Sequence, residues 1–314
     1  MRLFGRRKER RAVTTILVTG ASAGIGLELS RLLIAGPHRL VLTARAASLP
    51  RLAEAGIAPS ERVLILPLDV TVDEERQAVI RAVEQRWGGV DVLVNNAGVS
   101  YRAVAEHVTE FERLSQLDVN FIGPMELVRL ILPHMREQRY GRIINVSSVG
   151  GMTAMPTMSI YSASKFALEG ASEALWYEMR PFGVRVTLVR PGFINSDGFR
   201  KVRYTRQGRR ALGDESDPYH AHYANMNELI EGLMTLTFYT PEDVAETILE
   251  VIESKNPPLW VAGTLDAQLF DLLRRLLPAG LYHRLLYAGL PRIWRWGQRG
   301  DLALNSLPPT RTKK

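Results

Sequence analysis

The sequence predicts an α/β chain built as a single-domain, doubly wound, Rossmann-type parallel sheet flanked by helices. Three observations carry this: short apolar runs alternate with helix-periodic segments, the runs lack polar alternation, and a glycine-rich turn follows the first run directly. Strands buried on both faces read as near-continuous β-branched stretches, as these do. TTILVT (14–19), RLVLT (39–43), RVLIL (62–66), VDVLV (90–94), RIINVS (142–147) and VRVTLV (184–189) are the first six, and PLWVA (258–262) is the last. Helical patterns lie near 24–35, 72–87, 109–137, 158–180 and 241–253. Two have legible starts. Thr109 with Glu112 forms a capping box, and Thr240–Pro241 with Asp243 is an N-cap followed by proline at the first helical position.

Composition narrows the function classes. A chain of 314 residues, 46% hydrophobic, can bury one large core. With no cysteine, it has no disulfide framework, thiol nucleophile or thiolate metal site. No apolar run is long enough to span a bilayer, and the basic N-terminus leads into a strand rather than the apolar core of a secretion signal. The expected location is cytoplasmic, with peripheral attachment to a membrane surface as a further option. The net charge of +7 comes from the ends: residues 1–11 carry +5 and 265–314 carry +6, while 12–264 carry −4. That distribution argues against a nucleic-acid partner, which calls for a basic face within the fold. The domain reading is a basic segment 1–11, a dinucleotide-binding catalytic domain 12–264 with a substrate-side insert at 196–239, and a basic amphipathic extension 265–314.

The turn TGASAGIG (19–26) leaves a strand and opens a helix. Gly20, Gly24 and Gly26 allow a tight turn and close approach of backbone to a pyrophosphate, whose charge meets the free amides of the helix start. Ser22, Ala23 and Ile25 complete the loop. After the second strand stands Arg45, where an NAD site carries a carboxylate for the ribose diol. A guanidinium suits a 2′-phosphate instead. The cofactor expected is therefore NADP, with NAD as the alternative. Asp69 either accepts from the adenine amino group or caps the turn that follows it.

YSASK places Tyr161 and Lys165 four apart, on one face of a helix. A phenol near pKa 10 is a poor proton shuttle at neutral pH, and an adjacent ammonium is expected to bring it down toward the working range. Ser148, at a strand end, can donate to a substrate oxygen as charge develops, although its neighbour Ser147 is not excluded by sequence. Asn120 lies mid-helix, where an amide anchoring a water linked to Lys165 would complete a proton relay.

These segments together resemble the classical short-chain dehydrogenase/reductase family. The resemblance rests on TGASAGIG (19–26), LDV (68–70), NNAG (95–98), Asn120, NVSS (145–148), YSASK (161–165) and PG (191–192), in family order over residues 12–262. It implies that Ser148 polarises a carbonyl, Tyr161 is the general acid/base, Lys165 tunes the phenol and holds the nicotinamide ribose, and Asn120 completes the relay. It also implies cofactor contacts from Asp69 and Val70, from Asn96, Ala97 and Gly98, and from Pro191, Gly192, Ile194 and Ser196, where many members carry threonine at the last position. Some NADP-preferring members place a second basic residue in the glycine loop. Here that position holds Ser22–Ala23, so the NADP reading rests on Arg45.

The expected function is hydride transfer between a nicotinamide and a carbonyl or alcohol carbon of a small hydrophobic substrate, without metal. The alternative is a non-catalytic nucleotide-sensing or membrane-surface module on the same fold. Phe199, Tyr204, Tyr219, Tyr223, Met226, Leu229, Ile230, Leu233, Met234, Leu236 and Phe238 in the insert form either a substrate wall or ordinary helix packing. The basic cluster Arg200–Arg210 and the pair His220/His222 read as solvated, the latter lacking a third ligand. In 265–299, leucines at helical spacing interleave with arginines and tryptophans. That pattern suits peripheral contact with a membrane, or docking on the core or on a second subunit of a homo-oligomer.

Overall fold

The computed structural model describes residues 13–196 and 203–297. Seven parallel strands form one sheet: β1 (Thr15–Thr19), β2 (Arg39–Ala44), β3 (Val63–Pro67), β4 (Val92–Asn95), β6 (Gly141–Val146), β7 (Val184–Arg190) and β9 (Trp260–Ala262). They lie in the order β3-β2-β1-β4-β6-β7-β9. All seven strands expected from the sequence are present. Their runs are apolar without alternation because helices cover both faces. On one face, α1 (Gly24–Ile34) and α9 (Pro241–Glu253) bury Leu29, Leu33, Ile248 and Ile252 against β1, β2 and β4. On the other, α3 (Asp73–Trp87), α5 (Gly123–Glu137) and α6 (Ser159–Met179) bury Val83, Leu127, Ile131 and Leu175.

The strand order reverses between β1 and β4, so the loops after these strands diverge and leave a crevice at their carboxyl ends. Open α/β sheets place ligands at such a point.

The helix expected over 109–137 is interrupted. It begins with the Thr109–Glu112 capping box, runs through α4 (Glu110–Leu117), widens into a π turn at Asp118–Ile122, and resumes as α5. The interruption has a steric cause. Pro124 cannot donate a backbone hydrogen bond, and a Cβ at Gly123 would collide with the Val70 carbonyl. The second expected cap, Thr240 with Asp243 and Pro241, is also formed.

Within the insert, β8 (Arg203–Tyr204) pairs with β5 (Tyr101–Arg102) in a separate small sheet, followed by α7 (Arg206–Gly213) and α8 (His220–Leu236). The insert's apolar residues are mostly helix packing. Met226, Ile230 and Met234 bury against Phe193, with Met155 and Met158 beside them, while Leu236 and Phe238 face outward. Phe199 and the basic residues 200 and 201 lie outside the described residues, as do segments 1–12 and 298–314. Arg206, Arg209 and Arg210 face solvent. The histidines depart from the solvated reading. His222 is half-buried against Tyr219 and Trp296, and burial lowers its pKa. His220 sits by the Ala211 carbonyl. Among the described residues no cluster of metal-binding side chains occurs.

The extension forms α10 (Leu265–Leu276) and α11 (Ala279–Ala288), broken at Leu277–Pro278. Both dock on the core through Ala267 and Tyr282, which are buried. No helix among the described residues is long and apolar enough to cross a membrane.

Candidate active site

A cleft of about 460 Å³ runs along the carboxyl ends of β3, β2, β1, β4, β6 and β7. At its near end lie Asp69 and Val70 after β3 and Arg45 after β2; at its far end lie Ser148, Tyr161, Lys165 and Pro191–Gly192.

The glycine loop sits at the centre. Gly20 has φ +67° and Gly24 φ +54°, the left-handed region that side chains resist. A Cβ at Gly24 would meet nothing within 4 Å, whereas one at Gly26 would strike the Gly20 carbonyl and the Asn96 amide. So Gly20, Ser22, Ala23 and Ile25 line the cleft, while Gly24 shapes the turn and Gly26 lets the helix pack beneath it. Asn96 pins the loop, its Nδ2 donating to the carbonyls of Thr19 (3.0 Å) and Gly20 (3.2 Å). Helix α1 has no side-chain cap and no acidic residue in its first turn. By contrast α3, α4 and α9 begin with carboxylates. The positive end of α1 is thus left for an external anion, which is what a dinucleotide pyrophosphate supplies. The residues present fit such a group.

At the near end Arg45 is exposed and lines the cleft together with Ser48 and Arg51. Arg51 follows six residues later in the sequence. The turn over 46–48 and the short helix α2 (Pro50–Glu54) bring it round to the same rim. Asp69 spends its Oδ1 on the Thr71 amide (3.0 Å) and hydroxyl (2.7 Å), so it does cap the following turn.

At the far end the two serines separate. The Ser148 Oγ accepts from the Gly150 amide at 3.0 Å, which leaves its hydroxyl proton free to point elsewhere, and it stands beside the Tyr161 phenol. Ser147 turns away toward Gly151 and Glu169, its Oγ buried and unpartnered. Lys165 is buried and donates to the Val146 carbonyl at 2.9 Å, with its Nζ 6.0 Å from the Tyr161 ring centre.

The electrostatics overturn one expectation. Lys165 does not bring the phenol down; burial pushes Tyr161 above its ordinary pKa, and the Ser148 hydrogen bond only partly opposes this. The lysine is desolvated as well. Burial pulls it down to about 8, against the opposing charge of Glu169 one turn further along α6.

Asn120 does not line the cleft. Its Oδ1 accepts from the Val99 amide (2.9 Å), and its Nδ2 donates to the Val99 carbonyl (2.9 Å) and to Ser164 Oγ (3.0 Å). Its side chain ties the NNAG loop to the tyrosine helix.

Several site-shaping residues left no signal in the sequence. Thr264 accepts from the Gly192 amide at 2.9 Å, and Asp266 of α10 accepts from the Phe193 amide at 2.8 Å, fixing the Pro191–Ile194 loop from 70 residues away. Arg190 bridges Glu169 to Asp271 of α10. Arg274 donates to the Met152 carbonyl, and Tyr282 meets Thr153, so the extension also grips the loop following Ser148.

Residues 14–207 match the short chain dehydrogenase family model. The chain is 35% identical over 281 residues to the 3-ketodihydrosphingosine reductase of Bacteroides thetaiotaomicron, covering 87% of this chain and 97% of that one. It is 33% identical over 298 residues to human retinol dehydrogenase 8, covering 91% and 94%. The crystal structure of a short-chain dehydrogenase from Streptomyces avermitilis superposes with a TM-score of 0.73 at 31% identity, covering 88% of this chain and 98% of that one. With this sheet, a glycine loop at its switch point and Ser148, Tyr161 and Lys165 gathered at one end of the cleft, the chain belongs to the short-chain dehydrogenase/reductase family of NAD(P)-dependent oxidoreductases.

Proposed function

We propose that the protein is an NADP(H)-preferring reductase of a hydrophobic ketone or aldehyde, with Tyr161 as general acid. The observation that carries this is the placement of Tyr161 beside Ser148, part-buried and held above its ordinary pKa, at the far end of a cleft that begins with two arginines. A phenol kept protonated at neutral pH is a proton donor, which is what carbonyl reduction requires. Bound NADPH supplies the hydride. Ser148 donates a hydrogen bond to the substrate oxygen and keeps its proton, while Tyr161 delivers the one proton that this oxygen takes up as the carbonyl is reduced. Lys165 holds the ribose hydroxyls at the cleft floor. Arg45 and Arg51 clamp the 2′-phosphate, and the carboxylate at that end, Asp69, is engaged with Thr71. A hydrophobic substrate is favoured by Met158 at the cleft and the apolar cluster behind it, and the two curated relatives are named for a sphingoid ketone and a retinoid alcohol.

Purified protein is assayed with NADPH and NADH against ketones and aldehydes of increasing chain length, and Tyr161→Phe is compared by kinetics and by cofactor titration. The expected result is turnover with NADPH, a loss of roughly 100-fold or more in kcat for the variant, and nearly unchanged cofactor binding. Unchanged turnover by the variant overturns the role of Tyr161. Tight cofactor binding with no turnover of any substrate favours the nucleotide-sensing alternative.

The exposed face of the extension supports a peripheral membrane location. Leu265, Leu269, Leu272, Leu276 and Trp294 point outward, with Arg275, Arg284 and Arg295 exposed on the same two helices and the turn that follows them.

A further inference from the structure

Among the described residues Arg76, Arg102, Arg142 and Arg190 have side chains nearly removed from water, and three of them have partners that account for their burial. Arg76 pairs with Asp73 and donates to the Val70 carbonyl. Arg142 rests on the Val251 carbonyl in the last turn of α9, the negative end of that helix. Arg190 has the carboxylates of Glu169 and Asp271. Arg102 has none of these. It is 4% exposed, lines the cleft, and makes a single hydrogen bond, from Nη1 to the neutral amide oxygen of Asn227 at 2.9 Å. Its Nε is buried with no partner, as are those of Arg76 and Arg142, but of these three side chains only Arg102 is among the cleft-lining residues. Among the described residues no carboxylate pairs directly with this guanidinium to offset its desolvation.

The surroundings hold that guanidinium in place rather than neutralise it. Asn227 Oδ1 also accepts from the Tyr204 hydroxyl at 2.8 Å, and its Nδ2 is held by Glu231 at 2.8 Å, so the amide presents a fixed oxygen to Arg102. Tyr204 is the register partner of Arg102 across the small β5–β8 sheet, and Arg203, its neighbour in β8, lines the same cleft. The next residue, Ala103, bridges to Met158 and donates its amide to the Thr157 carbonyl at 2.7 Å. This sets Arg102 against the segment that enters α6 three residues before Tyr161. Among the described lining residues the sole carboxylate is Asp69, at the opposite end.

We propose that Arg102 is the anchor of an anion subsite at the substrate end, and that the carbonyl substrate is an amphiphile bearing a carboxylate, an oxo acid with an apolar chain. A carboxylate matches the planar guanidinium fork, supplies the missing counter-charge, and meets a second cation in Arg203. The same charge works against substrates whose polar end is an ammonium. The inference rests on the reductase reading given above and adds to it the chemistry of the substrate's second end.

The test pairs a series of straight-chain oxo acids, differing in the separation of ketone and carboxylate, with their methyl esters. Both are assayed with NADPH on the full chain and on Arg102→Met and Arg102→Lys. The expected result is a kcat/KM for the best acid at least tenfold above that of its ester. That preference collapses toward unity in Arg102→Met and is partly kept in Arg102→Lys, with ester turnover and the KM for NADPH little changed. An equal or reversed acid-to-ester ratio in the unaltered protein overturns the proposal, as does an unaltered ratio in Arg102→Met. Calorimetric binding of the same acid and ester to the NADPH-loaded protein separates this outcome from failure of the reductase reading. Acid-selective binding that requires Arg102 upholds the subsite without turnover, and binding indifferent to the carboxylate overturns it. If Arg102→Met fails to fold, Arg102→Lys and Asn227→Ala carry the same ratio test.

Discussion

Tyr161 and Lys165 show how a residue pair can be legible while its electrostatics are not. Their spacing puts them on one helix face, and the sequence states that much. The sign of the phenol's shift depends on how deeply both groups are buried, and burial raises Tyr161 while drawing Lys165 down to about 8. Arg45 presents the opposite case. Its position after β2 points to the 2′-phosphate, but Arg51, five residues of turn and short helix away, reaches the same rim through the fold. A charge-assisted hydrogen bond contributes about 1.5–3 kcal/mol, so Arg45→Gln is expected to raise the KM for NADPH by roughly tenfold or more. The KM for NADH should move little, because the diol carries no charge for the arginine to meet. Steady-state titration of both cofactors reads the ratio, and an equal change for the two removes Arg45 from phosphate recognition.

Among the elements, the interrupted helix at Asp118–Ile122 and the docked extension were the least visible. Nothing in the local pattern distinguishes a continuous helix over 109–137 from one with a wide turn, because Gly123 is demanded by the Val70 carbonyl across a contact between two elements. The widened turn sets Asn120 against both Val99 and Ser164, so the amide braces the cleft wall. Helix α10 acts similarly on the Pro191–Ile194 loop through Asp266. Removing that acceptor by Asp266→Ala leaves the Phe193 amide without its partner, at a cost of about 1–3 kcal/mol. Thermal melts with and without saturating NADPH are expected to show a less stable protein whose gain from cofactor is also smaller. A drop in stability with the cofactor gain intact would confine Asp266 to holding the helix.

For the whole molecule, the open question in the sequence was which way the basic extension faces. The structure divides its residues. Asp266, Ala267, Asp271, Arg274 and Tyr282 turn to the core, and Leu265, Leu269, Leu272, Leu276 and Trp294 turn outward. Deleting the extension would strip supports from the active site, so point changes are the better probe of membrane contact. The full chain is expected to float with vesicles containing anionic lipid, less so with neutral ones. A variant with Leu269, Leu272, Leu276 and Trp294 changed to serine should stay at the bottom of the gradient with its melting temperature preserved. Equal flotation of the two proteins rules this face out as the contact.

The sequence by itself determined the sheet, the glycine turn, both helix caps and the placing of Tyr161 and Lys165 on one helix face. Each of these is written in local periodicity or in residues within a turn or two of one another. Only the tertiary structure set Ser148 beside the Tyr161 phenol, brought Arg51 to the rim that Arg45 lines, left Arg102 buried with no carboxylate partner among the described residues, and set α10 under the loop after β7. Those depend on which groups lose water and which carbonyls and amides meet across distant segments, and that is fixed when the layers pack.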